Sequence, residues 1–226
     1  MKTPLLCLVV TVILYFANRK LHARFPRFWL SPVVLTPLLL VSWVVFSGIA
    51  YSAYARGTGF LVWLLGPATV AFAVPIYEHR VLLRQHYLLL TAGTVTGICV
   101  SLSTAWVLSR AMHLPPEIAH TLLVRSISTP FAMVLSPEIG GSAELAALLV
   151  VLTGVFGMLI GEGLLAWLPL RSRLAIGIPM GAAAHGIGTV KAYRIGTEEG
   201  VVASLTMVFS GVLMVLAGPW LVWLFL

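Results

Sequence analysis

The sequence predicts an all-α polytopic membrane protein, and three of its features favour this fold class. Of the 226 residues, 60% are hydrophobic and only 9% are charged, whereas about 25% of the residues in a soluble domain are charged. Several apolar runs reach the roughly 17 to 25 residues that a membrane-spanning helix needs, and the alternating pattern of barrel strands is absent. Two polar interruptions, each followed by a long apolar run, predict broken or re-entrant helical segments.

Six apolar runs are predicted to cross the membrane, at about residues 4–17, 33–50, 60–77, 87–108, 142–168 and 201–226. The first resembles the core of a signal peptide, but basic residues follow it instead of a small-residue cleavage site, so we expect it to remain as the first helix. Residues 51–59 are expected to form a loop. Pro67 and Pro75 lie within the third run and predict bends there, because proline removes a helical hydrogen bond.

Composition also limits the classes of function. The net charge of +7 does not indicate nucleic-acid binding, because basic residues of membrane proteins collect in cytoplasmic loops. Cys7 and Cys99 lie in apolar runs and are expected to be core residues, not disulfide partners. No hydrolase, metalloprotease or phosphate-loop motif is present, and His113 and His120 have no evident third ligand. We therefore expect no cofactor, no metal and no catalytic residue.

The two polar interruptions are related to each other by a shift of sixty residues. In this register seven of the nineteen positions from 127 to 145 are identical to positions 187 to 205, and Arg125 aligns with His185. This match indicates an internal repeat. We expect one membrane domain, residues 1–226, with N-terminal helices in 1–108, a first repeat unit in 116–168 and a second in 176–226.

The distribution of basic residues predicts the orientation. If the first basic loop is cytoplasmic, ten of the fourteen lysines and arginines lie inside and four do not, and this bias places both termini outside. The interrupted segments then either dip into the membrane from opposite sides or cross it as broken helices. In both arrangements the two repeat units are inverted, as in many secondary transporters, whose binding sites lie near the midplane.

The interruptions also predict a site for a small anion. A helix that restarts within the membrane presents free N–H groups and the positive end of its dipole. Thr129 is expected to cap the restarted helix with Pro130 at its first position, and Thr189 is the equivalent cap. Gly186 and Gly188 would let the backbone approach a ligand. The alternative is that the proline only kinks a helix and the glycines serve close packing.

The expected substrate-binding residues are Arg125, Ser128, Thr129, Pro130, His185, Gly188, Thr189 and Lys191. His185 or Glu162 is expected to carry a proton, because ionisable residues at membrane depth are functional by default. Three alternatives remain open. His185 could be a core histidine bonded to the backbone, Lys191 could extend to the inner surface, and Glu162 could reach the lipid headgroups.

Four segments of the sequence resemble signatures of the LrgB/CidB family. They are residues 66–77 (GPATVAFAVPIY), 128–133 (STPFAM), 139–141 (IGG) and 184–189 (AHGIGT), which occur in order and at suitable spacing. The resemblance covers nearly the whole chain. One departure is that relatives often have lysine where this chain has Arg125, which replaces a flexible point charge with a planar fork.

The resemblance implies a protein of the bacterial inner membrane. It implies either antiholin-like modulation of murein hydrolase export and cell lysis, with a small LrgA/CidA-type membrane partner, or the transport of short acids, as in the plastid glycolate/glycerate translocators. We expect a proton-coupled transporter subunit for small monocarboxylates such as pyruvate or glycolate, and a homodimer. The alternative is a lysis regulator without transport. An intramembrane enzyme is not expected, because no nucleophile–base pair is evident.

Overall fold

The computed structural model describes residues 2–71, 73–168 and 172–225. Within these ranges the protein is almost entirely helical and contains no strand, so the all-α prediction is confirmed. The helices are α1 (Lys2–Arg24), α2 (Pro32–Phe46), α3 (Tyr51–Trp63), α4 (Leu65–Ala71), α5 (Ala73–Glu78), α6 (Arg80–Ala111), α7 (Pro116–Leu123), α8 (Thr129–Glu138), α9 (Ala143–Trp167), α10 (Arg173–Ile195) and α11 (Thr197–Phe225).

Four helical segments of the described chain are long and apolar enough to cross a membrane: Thr3–Arg24, Arg80–Ala111, Ala143–Gly161 and Thr197–Trp220. They make the chain a multi-pass membrane protein. The second predicted span corresponds to α2, which has only 15 residues, and the third is divided among α3, α4 and α5. The count of six spans therefore stays a prediction.

The loop predicted at residues 51–59 is wrong, because these residues belong to α3. The chain instead turns between Phe46 and Tyr51, where Gly48 has a φ of +62° that glycine adopts without strain. Gly57 serves packing and not a turn. A Cβ added to it would collide with the backbone of Pro4 in α1.

The chain divides into two compact units, Met1–Ala68 and Thr69–Leu226. In the first unit α1 packs against α2 and α3, and the buried Asn18 donates a 3.0 Å hydrogen bond to Thr36. The division does not test the prediction of a single membrane domain over residues 1–226, which stays a prediction.

In the second unit α10 packs most closely against α11, with α9 and α6 as its other neighbours. Glycines permit this close packing. A Cβ on Gly181 would meet the backbone of Ala203 in α11, and a Cβ on Gly157 of α9 would lie 2.8 Å from the carbonyl oxygen of Ala183 in α10. These contacts hold α10 on two sides around the point where its backbone departs from helical geometry.

The second unit contains one order of elements twice. A short helix, an interruption, a second short helix and a long helix occur as α7, residues 124–128, α8 and α9. The same order recurs in the second half of the unit. The two halves of α10 are the short helices, the non-helical backbone at His185 is the interruption, and α11 is the long helix. Arg125 in the first interruption and His185 in the second are sixty residues apart. The inverted orientation of the two units stays a prediction.

Candidate functional site

The first interruption, residues 124–128, lies between α7 and α8 and consists of a turn that ends in extended backbone. Ser128 has extended backbone, with φ −67° and ψ 150°, and its carbonyl accepts hydrogen bonds from the amides of Phe131 and Ala132, both at 3.0 Å. Ser128 is therefore the N-cap, and the prediction of Thr129 as the cap is wrong by one residue. Thr129 begins α8 and Pro130 occupies its second position, where a missing N–H costs little.

The side chain of Ser128 does not complete the cap. No hydrogen bond joins its hydroxyl to the first turn of α8, and its Oγ is buried without a partner among the described residues. A buried hydroxyl without a partner destabilises the fold by about 1–3 kcal/mol. Its position at the restart of a helix, beside backbone N–H groups, makes it a candidate ligand group.

Two residues of α6, which the sequence analysis missed, hold the first interruption. Ser101 donates a short hydrogen bond to the hydroxyl of Ser126, and the Nη2 atom of Arg125 donates to Thr104 Oγ1 at 2.9 Å. Ser101 and Thr104 are three residues apart, a spacing that places both on one helix face. Two small hydroxyl residues spaced three apart in an apolar run are the sequence pattern from which these contacts could have been predicted.

The second interruption is the single residue His185. Its backbone has φ 45° and ψ −127°, a left-handed conformation that is uncommon for residues other than glycine. The predicted gap at residues 186–192 is wrong, because α10 continues through it to Ile195. Thr189 is not a cap, since its hydroxyl lies within α10 and donates a 2.8 Å hydrogen bond to the carbonyl of His185.

The two interruptions meet. The ring of His185 faces the backbone of Ser126 and lies within electrostatic reach of Arg125. His185 is only 2% exposed, yet neither ring nitrogen forms a hydrogen bond with a described residue. The ring faces the Ser126 backbone without meeting the geometry of a hydrogen bond, so the alternative of a core histidine bonded to the backbone stays open.

Arg125 carries a positive charge that no described residue neutralises. The ion pair found among the described residues joins Arg173 to Glu198, elsewhere in the second unit, and the Nε atom of Arg125 is buried without a hydrogen-bond partner. Several other hydroxyls in this unit are satisfied locally, although that of Thr94 is not satisfied by a described residue. Thr206, for example, donates to the carbonyl of Val202 at 2.9 Å. The unpaired donors and the uncompensated cation leave hydrogen-bonding capacity that the described residues do not use.

The other predicted site residues lie farther along the helices. Gly188 follows His185 by three residues, and a Cβ there would collide with the backbone of Met180, so this glycine serves packing. Lys191 is half-buried in the second half of α10. Glu162 belongs to α9, but its side chain lies outside the described residues.

A shallow, narrow cleft lies beside the first interruption. Ser101 and Ser126 line it together with apolar side chains that include Leu102 and Ile127, and it has no room for a water-sized sphere.

Comparison with known proteins gives consistent matches over nearly the full length. A family model described as LrgB-like family matches residues 11–224. The chain is 32% identical to the uncharacterized protein YwbG of Bacillus subtilis over 214 residues, 95% of each chain. It is 28% identical to the holin-like protein CidB of Staphylococcus aureus over 221 residues, 98% of this chain and 96% of CidB. No solved structure matches the chain significantly.

Proposed function

The chain belongs to the LrgB-like family, and from this premise we propose that it is a secondary transporter subunit for small monocarboxylates. Its substrates are pyruvate, glycolate or similar 2-oxo and 2-hydroxy acids. The observation that carries the proposal is the meeting of the two helix interruptions, where His185 faces Arg125 and the backbone of Ser126. Arg125 Nε, both ring nitrogens of His185 and the nearby Ser128 hydroxyl are buried without a partner among the described residues. We propose no catalytic activity for this site.

The chemistry of these groups matches such an acid. The guanidinium of Arg125 and the hydroxyl of Ser128 donate to the carboxylate, and hydrogen bonds between a cation and a carboxylate are among the strongest in proteins. A neutral imidazole has one N–H donor and one acceptor nitrogen. His185 therefore donates to a 2-oxo group or accepts from a 2-hydroxyl group, which accounts for a site that takes both kinds of acid.

Transport coupled to a proton requires a group that exchanges one near neutral pH. His185 belongs to the residue type best suited to this exchange, and it lies beside the proposed substrate position. Glu162 of α9 is the second candidate, because its sequence position places it within an apolar helix where ionisable residues are functional by default. Protonation of either group would be linked to substrate binding during alternating access.

We propose that the chain lies in the bacterial inner membrane with both termini in the periplasm and with its two interrupted units inverted. The inside bias of ten basic residues against four supports this orientation. The recurring element order in the second unit supports the two units. We further propose that the chain forms a homodimer and acts with a small LrgA/CidA-type membrane protein.

A lysis regulator is the second candidate function. The Staphylococcus aureus relative is named a holin-like protein, and this name favours an antiholin-like regulator of murein hydrolase export that transports nothing. Such a regulator, acting through association of its spans, has no need for a half-buried cation with unpaired neighbours. The two functions therefore differ in their dependence on Arg125 and His185.

Uptake of labelled pyruvate, glycolate and lactate into proteoliposomes tests the proposal. The chain is reconstituted alone and with an LrgA-type partner, with and without an inward proton gradient. Arg125→Gln is compared with Arg110→Gln, a matched control because Arg110 lies at the exposed end of α6 over Trp106. We expect saturable, gradient-stimulated uptake that Arg125→Gln removes and Arg110→Gln preserves. Absence of saturable uptake even with the partner would favour the lysis regulator.

A further inference from the structure

We propose that α6 is a third part of the site, beside the two interruptions. In it, Thr104 positions the guanidinium of Arg125 and Ser101 positions Ser126. This inference rests on the proposed function, because it concerns the same site. Both residues lie outside the repeat units predicted from the sequence, and both contact the first interruption directly.

Thr104 is suited to hold an arginine because its own proton is already used. Its hydroxyl donates within α6 to the carbonyls of Val100, at 2.8 Å, and Ser101, at 2.9 Å. Its lone pairs are therefore the part of the hydroxyl that remains for Arg125, whose Nη2 atom donates to it at 2.9 Å. This contact fixes one end of the planar guanidinium of Arg125, while its Nε atom has no partner among the described residues. Thr104 thereby orients Arg125 for an external acceptor.

The packing of α6 explains why its hydroxyls reach the interruptions. Gly93 of α6 lies against Ile178 of α10, and Gly97 lies against Ala182. Both helices advance by four residues between these contacts, so they run alongside each other in the same direction. A further four residues bring α6 to position 101 at the level of positions 185–186, the interruption of α10. Ser101 thus bonds to Ser126 at the point where Ser126 faces His185.

Kinetic constants of three variants test the role of Thr104. Thr104→Val keeps the shape of the side chain and removes the acceptor, whereas Thr104→Ser keeps the acceptor. Thr94→Val is the matched control, because Thr94 lies on the same helix with a buried hydroxyl that has no described partner. We expect Thr104→Val to raise the KM for pyruvate about tenfold with little change in maximal rate, as for loss of one hydrogen bond to a charged group. Thr104→Ser should restore the KM.

A second measurement separates this inference from the proposed function. The rate at which phenylglyoxal modifies Arg125 is followed by peptide mass spectrometry on purified, folded protein, without any transport. Release of the guanidinium should raise this rate several-fold in Thr104→Val but not in Thr104→Ser or Thr94→Val. If the rate rises but no variant or parent transports an acid, the positioning stands and the proposed function fails. An unchanged rate in Thr104→Val overturns the positioning, whatever the transport result.

Discussion

The two helix interruptions of the second unit solve the same structural problem in different ways. The first opens the backbone over residues 124–128 and restarts α8 with a serine cap and a proline in the first turn. The second confines the departure to His185, at φ 45°, and the helix resumes at once. The first interruption follows local sequence preferences, whereas the second opposes them, since a non-glycine residue in a sparsely populated, positive-φ conformation costs about 1–3 kcal/mol.

This difference shows which half of the site is anchored. In the first interruption, Arg125 and Ser126 are both bound to α6. In the second, His185 retains a strained backbone although glycine follows at position 186, and both ring nitrogens lack described partners. A strained residue with an unsatisfied side chain is typical of functional sites. Under the proposed function, ligand binding accounts for histidine at position 185.

Substitution of Arg125, the charged residue of the first interruption, should have the largest effect, which is on the affinity for the substrate. Arg125→Gln removes the cation that no described carboxylate neutralises. Because Arg125 is half-buried, we expect the lost hydrogen bond to a charged group to cost about 1.5–3 kcal/mol, or roughly tenfold and more in affinity. Arg125→Lys keeps the charge but loses the fork, so we expect a smaller loss. Equilibrium binding of labelled pyruvate to purified protein measures both. Equal affinities of the two variants would show that charge does not determine binding.

Glycine substitutions next to the second interruption should have the next largest effect, which is on the free energy of unfolding. Gly188→Ala places a Cβ against the backbone of Met180, whereas Gly186→Ala meets nothing within 4 Å. We expect Gly188→Ala to lower the free energy of unfolding by about 1–3 kcal/mol, as overpacking does, and Gly186→Ala to leave it unchanged or slightly raised. Thermal unfolding in detergent compares this matched pair. A larger loss for Gly186→Ala would contradict the described path of α10.

The strain at His185 predicts a smaller effect of unusual sign. His185→Gly should be more stable than His185→Ala by about 1–2 kcal/mol, because glycine adopts the left-handed backbone without a Cβ clash. Elsewhere within a helix the order is the reverse. Both variants should lose transport, because each lacks the imidazole. Thermal unfolding together with uptake checks this prediction, and an alanine variant as stable as the glycine variant would argue against the strained backbone.

The smallest effect should come from a polar contact far from either interruption. Arg173 and Glu198 form an ion pair whose side chains are 64% and 51% exposed. Solvent and salt screen such a pair, so we expect Glu198→Gln to change the free energy of unfolding by about 0–1 kcal/mol, and the change should shrink further in high salt. Unfolding curves at two salt concentrations provide the measurement. A large, salt-insensitive loss would indicate a structural role that its exposure does not predict.

Sequence reasoning located the first interruption more accurately than the second. Ser128, Thr129 and Pro130 carry a local signal for a helix start, and the error was a single residue. The glycines at 186 and 188 suggested a gap, but glycine only permits unusual backbone and does not require it. The departure falls on His185, whose conformation depends on the helices packed around it, and no local pattern predicts a left-handed histidine.

The meeting of the interruptions and the role of α6 required the structure. The repeat aligned Arg125 with His185 but did not show that they face each other. Ser101 and Thr104 were overlooked because hydroxyls in an apolar helix usually donate to the carbonyl four residues earlier, as Thr206 does here. Their contacts to Ser126 and Arg125 arise from the register of α6 on α10, which is set by packing at Gly93 and Gly97.

The most direct test of the central claim, that the two interruptions form one anion site, is ligand-induced stabilisation of the purified protein. Its melting temperature is measured against increasing pyruvate and against pyruvamide, which has the same shape without the charge. We predict saturable stabilisation by pyruvate alone, which is lost in Arg125→Gln and equally in His185→Gly. Equal stabilisation by acid and amide, or a loss in only one of the two variants, would contradict a single shared site.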